Sequence, residues 1–291
     1  VDAIKFYLAY KDAYMRTTAR KDTHSRIKKI SQWILETRNE KILCNEFNSD
    51  HALQLMNWLL MDRKITGRNY NNYLMSFRTA FNFLVKQKYF NSNPFHAVDK
   101  LPETKKIRQA FTPDQQQQFV DYVRGNDYPF FIIAQWCYYC ALRPNEIVQL
   151  KISNINFHNA VIHVPKDIAK NKRERAPVIA DVFFNQIKEY YKDENPDHYL
   201  CSLKMKPGKL KISAVRISDH FRRVANKLKL PNELQFYSLK DTCADRLLSA
   251  GCDPRVIRDL FDHTDLHATD KYIRSRVNKH MEILRTDFPI L

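Results

Sequence analysis

"FYSLKDTCADRLLSAG", residues 236–251, reads as a helix with a cation at its mouth. Ser238 stands where a cap belongs, Ala244, Leu247 and Leu248 supply an apolar interior, and Gly251 marks the stop. Lys240 then falls in the first turn, where unpaired backbone N–H groups already favour an anion. Three residues earlier, Tyr237 brings a hydroxyl that can donate a hydrogen bond to the same anion. The expectation is a phosphate-holding helix start in a mainly helical chain.

Two further stretches carry residues of the same kind. In "CALRPNEIVQL", residues 140–150, Arg143 precedes Pro144. A residue before proline is pushed out of helical conformation, so Arg143 is expected at a helix mouth with a planar fork able to clasp two phosphate oxygens. In "LFDHTDLHATDKY", residues 260–272, His263 is followed nine residues on by Tyr272. His263 and His267 also have the four-residue spacing of metal ligands on one helix. No carboxylate or cysteine set completes such a site, and Asp265 between them reads as a helix cap, so no metal and no cofactor are expected.

The totals bound the partners. The chain has 291 residues, 44% of them hydrophobic and 12% aromatic, enough for two domains and a substantial core. Forty-eight Lys and Arg against 32 Asp and Glu leave +16, which points to a polyanion, and nucleic acid is the commonest one. The excess is shared: residues 1–110 hold 20 basic and 10 acidic side chains, and the remainder holds 28 and 22. Neither an aromatic RNP run nor a G-x-x-G loop supports RNA. No signal peptide and no uncharged run long enough to span a bilayer is present, so no membrane partner is expected. Six scattered cysteines, with Cys137 and Cys140 inside the apolar run "FFIIAQWCYYCAL", read as buried free thiols in a reducing cytoplasm. The sequence starts at Val1 rather than Met, which leaves room for a preceding segment.

Periodicity organises the rest. Ile27, Ile30 and Ile34 share one helical face, and Tyr70, Tyr73, Leu74, Phe77, Phe81, Leu84 and Val85 recur at helical intervals as core. Residues 91–110 lack periodicity and read as a linker, giving domains at 1–105 and 106–291. Thr112, Pro113 and Gln115 restart a helix with a capping box, and an apolar helix runs through about 128–141. "AVIHVP" and "RAPVIA" flank "KDIAKNKRE" as a β-hairpin with a lysine-rich tip. The fold class is mainly α with a small β-hairpin.

The order of these features resembles the tyrosine recombinases, or phage-type integrases. Their boxes, A-L-R-x-x-E-I/L, H-x-L-R-H-T and L-G-H-…-Y, correspond to "ALRPNEIVQL", "YSLKDTCADRLLSAG" and "LFDHTDLHATDKY". The resemblance implies a helical core-binding domain followed by an α+β catalytic domain. It also implies a site-specific recombinase that cleaves and rejoins double-stranded DNA without a metal ion. Tyr272 would attack a phosphate to give a 3′-phosphotyrosine and a 5′-hydroxyl, storing the phosphodiester energy for rejoining. Cations must then neutralise the nonbridging oxygens. Arg143 matches the first arginine, His263 the histidine of the third box, and Lys170 the hairpin lysine that protonates the leaving oxygen, with Lys172 in reserve. A free phenol ionises near a pKa of roughly 10, so Tyr272 needs nearby cations. Four protomers on two DNA sites, in a bacterial cytoplasm at the nucleoid and in the service of a mobile element, complete the expectation. After Tyr272, Met281, Ile283 and Leu284 give a modest apolar face, as suited to a neighbour as to its own domain.

The chain departs from the pattern at four places. Lys240 replaces the second arginine, Tyr237 the histidine before it, Asp241 the following histidine, and Asp262 the glycine of the third box. Lysine keeps the charge but loses the two-pronged geometry. Because Arg143, Tyr237, Lys240, His263 and Tyr272 remain together, the expected outcome is a working variant site. The competing readings are a catalytically inactive DNA-binding relative and a type IB topoisomerase-like strand transferase.

Overall fold

A computed structural model describes residues 2–13, 17–37, 42–103 and 109–262. The chain divides into two compact units, Val1–Lys106 and Ile107–Leu291.

The first unit is helical: α1 (Asp2–Asp12), α2 (Thr17–Thr37), α3 (Ser49–Met61) and α4 (Gly67–Lys86). Each buries the stripe its sequence advertises. Ile27, Ile30 and Ile34 of α2 meet Tyr70, Leu74, Phe77, Phe81 and Leu84 of α4 in one core, while Tyr73 and Val85 are half-buried. Thr66 caps α4 through a bond from the Asn69 N–H.

Residues 91–103 correct the expected linker, because they fold back onto this unit. Phe95 and Val98 are buried in its core. Arg78 donates from Nε to the Phe95 carbonyl (3.0 Å) and from Nη2 to the Val98 carbonyl (2.6 Å). Asn71 exchanges two bonds with Leu101, at 2.8 and 2.9 Å. Side-chain amides and a guanidinium do here what a ladder does in regular structure, and such bonds leave no hydrophobic period to read.

The second unit begins with α5 (Pro113–Asn126), whose Thr112–Gln115 capping box forms as expected. Then come α6 (Tyr128–Tyr139), the single turn α7 (Pro144–Ile147), α8 (Asp181–Tyr190), α9 (Val215–Lys227), α10 (Ser238–Ser249) and α11 (Pro254–Leu260). Helix α6 is apolar all round and lies in the centre, with Phe130, Ile132, Ile133, Trp136 and Cys137 buried. The Trp136 indole donates to the Tyr191 hydroxyl at 3.1 Å. Phe111 packs on Phe119 and Phe221, and its N–H donates to the Thr242 hydroxyl of α10 at 2.9 Å.

The β structure is small. Strands β1 (Ile155–Asn156) and β2 (Val161–Ile162) pair antiparallel. Bridges Val161–Val178 and Val164–Arg175 add the arm that the sequence suggested. The mainly helical fold with a small antiparallel sheet is therefore as expected, and β1 is an addition to it. Cys137 and Cys140 are buried free thiols, and burial pushes Cys137 up to about 12. Among the described residues no helix is long and apolar enough to cross a membrane.

Candidate active site

Three chain turns converge where α6, α10 and α11 end or begin. The first holds Arg143, extended (φ −79°, ψ 147°) before Pro144 and at the mouth of α7, as the proline dictates. Its fork is fully engaged on the protein. Nη1 donates to Glu146 Oε1 (2.9 Å) and to Asp262 Oδ2 (3.2 Å), and Nη2 to the carbonyls of Phe261 (3.2 Å) and Asp262 (3.3 Å). The side chain is 12% exposed.

Glu146 holds this turn together. It accepts from the Arg143 backbone N–H at 2.9 Å and from Arg175 Nη2 at 2.7 Å, and its side chain is 1% exposed. Burial alone would raise its carboxyl, yet Arg175 and Arg143 outweigh burial and hold it below the ordinary glutamate value. Burial likewise opposes the charge of Arg143, while Glu146, Tyr237 and Asp262 hold it above the usual arginine value. Arg175 also donates to the Leu260 carbonyl at 3.2 Å, tying the hairpin to the end of α11.

The third-box turn is shaped by Asp262. Its φ of 51° is left-handed, the conformation that most often ends a helix and that glycine most easily supplies. Aspartate is tolerated there, and its carboxylate reaches Arg143. The Asp262 carbonyl also accepts from Asn171 Nδ2 at 2.6 Å, which fastens the hairpin tip to the same turn. Lys170, the neighbour of Asn171, is exposed, as is Lys172.

Helix α10 departs from expectation at its start. Ser238 is its first residue and does not cap it; its hydroxyl accepts from the Gln235 N–H at 3.1 Å. The backbone N–H groups of Ser238, Leu239 and Lys240 donate to the carbonyls of Gln235, Phe236 and Tyr237. The predicted anion cradle is thus closed by the tight turn that leads into the helix. Lys240 is 1% exposed, with Nζ donating to the carbonyls of Ala141 and Phe261, both at 3.1 Å. Burial, then Arg143 and Arg175, push its ammonium down to about 7. Tyr237 is half-buried, its ring 5.7 Å from the Lys240 ammonium.

The structure therefore brings Arg143 and Lys240 together on one carbonyl and sets Tyr237 beside them. His263 and Tyr272 lie outside the described residues. Sequence reading missed Glu146, Arg175 and Asn171 as working parts. The signal for Glu146 was its position three residues after Arg143, the reach of a first-turn carboxylate back to the cap N–H. Arg175 and Asn171 act through the hairpin, which sequence spacing does not reveal.

A family model described as the phage integrase family matches residues 109–279, more than half of the chain. The chain belongs to the phage integrase family. A tyrosine recombinase of Pseudothermotoga lettingae is 21% identical over 212 residues, covering 72% of this chain and 71% of its own. Tyrosine recombinase XerC of Halalkalibacterium halodurans is 24% identical over 247 residues, with 79% of each chain covered. The fold of the Tn1549 transposon integrase, solved with circular intermediate DNA, superposes with a TM-score of 0.75 at 15% identity, covering 95% of this chain and 99% of that one. A lambda integrase tetramer bound to a Holliday junction gives 0.73 at 13% identity, covering 91% and 77%. Membership of the family bears out the resemblance drawn from the three boxes, and with it the reading of the chain as a recombinase-class enzyme.

Proposed function

We propose that this integrase-family chain is a site-specific recombinase of double-stranded DNA, working through a 3′-phosphotyrosine and needing no metal ion. The observation that carries the reading is Arg143. It is a nearly buried guanidinium fixed by Glu146, and it already holds one exchangeable anion, the Asp262 carboxylate. A DNA phosphate entering there takes the place of that carboxylate and meets a fork of fixed orientation.

In the reaction, the Tyr272 oxygen bonds to phosphorus as its proton is lost, and the bond from phosphorus to the 5′-oxygen breaks. Lys170, exposed on a tip that Asn171 anchors beside Arg143, gives the leaving oxygen its proton. His263 and Tyr237 donate hydrogen bonds to the nonbridging oxygens, and Arg143 carries the charge. Rejoining reverses these steps on another strand. The unit Val1–Lys106 serves as the core-binding domain and Ile107–Leu291 as the catalytic one. The basic excess predicts binding that weakens steeply with salt. A tetramer follows the precedent of lambda integrase, solved as a tetramer on a Holliday junction, and service to a mobile element that of the Tn1549 transposon integrase; two DNA sites and a place at the bacterial nucleoid complete the proposal.

The test starts from duplexes that the protein itself selects from a random-sequence library. A nick placed near the selected site traps the covalent intermediate, read as protein retained on DNA after denaturation. The expected result is an adduct from the wild type and none from Tyr272→Phe at equal DNA binding. Binding without any Tyr272-dependent adduct would instead identify a DNA-binding relative that has lost the chemistry, a reading that the saturated fork of Arg143 would then explain.

A further inference from the structure

Lys240 occupies the place where the family pattern has an arginine, and it sits inside the protein, out of contact with solvent. Its ammonium is enclosed by two carbonyls, Ala141 and Phe261, each at 3.1 Å. Two aromatic faces complete the enclosure, Phe261 at 4.6 Å and Tyr237 at 5.7 Å from ring centroid to Nζ. With the residue 1% exposed, this is a built seat for one ammonium.

The two carbonyls belong to the turns that make the site. Ala141, left-handed at φ 50°, lies two residues before Arg143. Phe261 precedes Asp262, left-handed at φ 51°, and its carbonyl also accepts from Arg143 Nη2 at 3.2 Å. Left-handed residues with side chains are held only when the surroundings over-determine them. Lys240 supplies that restraint to both turns at once.

We propose that Lys240 is a positioning residue: by bonding the Ala141 and Phe261 carbonyls it fixes Arg143 from behind, and it does not touch the scissile phosphate. This rests on the recombinase reading of Arg143. Two consequences separate it from a direct role. A guanidinium is larger than an ammonium and flat, so an arginine at 240 overfills the enclosed seat instead of restoring the family arrangement. And the two hydrogen bonds of the seat do not require the charge. Burial, then Arg143 and Arg175, push its ammonium down to about 7, and a neutral amine still has two N–H groups for two carbonyls.

A double-mutant cycle tells the roles apart. A side chain that acts only through Arg143 costs nothing more once Arg143 is gone, whereas one that touches the phosphate itself still does. Lys240→Met, Lys240→Arg, Arg143→Ala and the double variant Lys240→Met/Arg143→Ala are compared with wild type on duplexes selected by the wild-type protein. Adduct formation at saturating duplex, duplex affinity and thermal midpoint are measured for each. Lys240→Met and Lys240→Arg are each expected to slow cleavage about tenfold or more, with affinity unchanged. The double variant is expected to cleave no more slowly than Arg143→Ala. A further loss of about tenfold in the double variant, full activity of Lys240→Arg, or a loss confined to affinity would overturn the proposal. Should the wild type form no adduct, the recombinase reading fails, and positioning is read by amide hydrogen exchange of the DNA-free protein. Lys240→Met is then expected to speed exchange in residues 140–143 and 260–262 together, and unchanged exchange there overturns it.

Discussion

Arg78 in the first unit and Arg143 in the second do similar work on the backbone and differ in what else they hold. Both are largely enclosed and both donate to two carbonyls of a segment outside the α-helices and strands. Arg78 donates to the carbonyls of Phe95 and Val98, which belong to the chain and stay where the fold puts them. Arg143 also holds two carboxylates, Glu146 from within its own turn and Asp262 from a turn 119 residues away. A carboxylate and a phosphate oxygen are chemically alike, so the second contact is one that an incoming anion can replace. An arginine that only braces a loop and one proposed to receive a phosphate thus differ in their acceptors.

The sharpest break of that comparison is alanine at each position. Arg143→Ala is expected to slow adduct formation by about a hundredfold to a thousandfold, the scale of removing one fixed donor from a developing charge. Arg78→Ala should leave the adduct rate per folded molecule unchanged and lower stability by about 1–3 kcal/mol, because two buried carbonyls lose their donor. Trapping assays and denaturant melts on the same two proteins decide it.

Next in size is Glu146→Gln, which leaves two guanidinium groups facing a neutral amide. A stability loss of about 3 kcal/mol is expected, seen as a lower denaturation midpoint at pH 7. The pH dependence has a definite sign. The folded Glu146 carboxyl lies below its unfolded value, so its contribution is complete above the ordinary glutamate range and is lost as pH falls through the folded value. The wild type should therefore lose more stability than Glu146→Gln on acidification below about pH 4.5.

The smallest effect, and the one opposite in direction, belongs to Asp262→Gly. It removes the anion that competes for Arg143 and puts at φ 51° the residue that conformation favours. Duplex affinity should rise about two- to fivefold, most clearly at low salt, as read by a binding titration; a fall would mean that Asp262 orients the fork more than it blocks it.

What could be read in the sequence follows from the range of the forces involved. The stripe of α4 and the Thr112–Gln115 cap are local, set by residues within a few positions of each other, and both were legible. So was Arg143 at a helix mouth, because Pro144 dictates its backbone. The direction in which Lys240 points was not, since its two acceptors lie 99 and 21 residues away. The bridge from Arg175 to Glu146 spans 29 residues, and the Asn71–Leu101 pair spans 30. Neither leaves a periodic trace. The charge that reached the right neighbourhood was recognisable from the boxes, while its orientation depended on turns that only the assembled chain supplies.

The bond from the Phe111 N–H to the Thr242 hydroxyl sets a practical border. Scissors applied to this gene to release the second half as a stand-alone protein must fall ahead of Phe111. Starting at Thr112 would keep every box and the helices α5 to α11, yet it would remove an aromatic ring packed on Phe119 and Phe221 and strip a donor from the helix that carries Lys240. Phe111, which belongs to no motif, decides whether the trimmed enzyme keeps its shape.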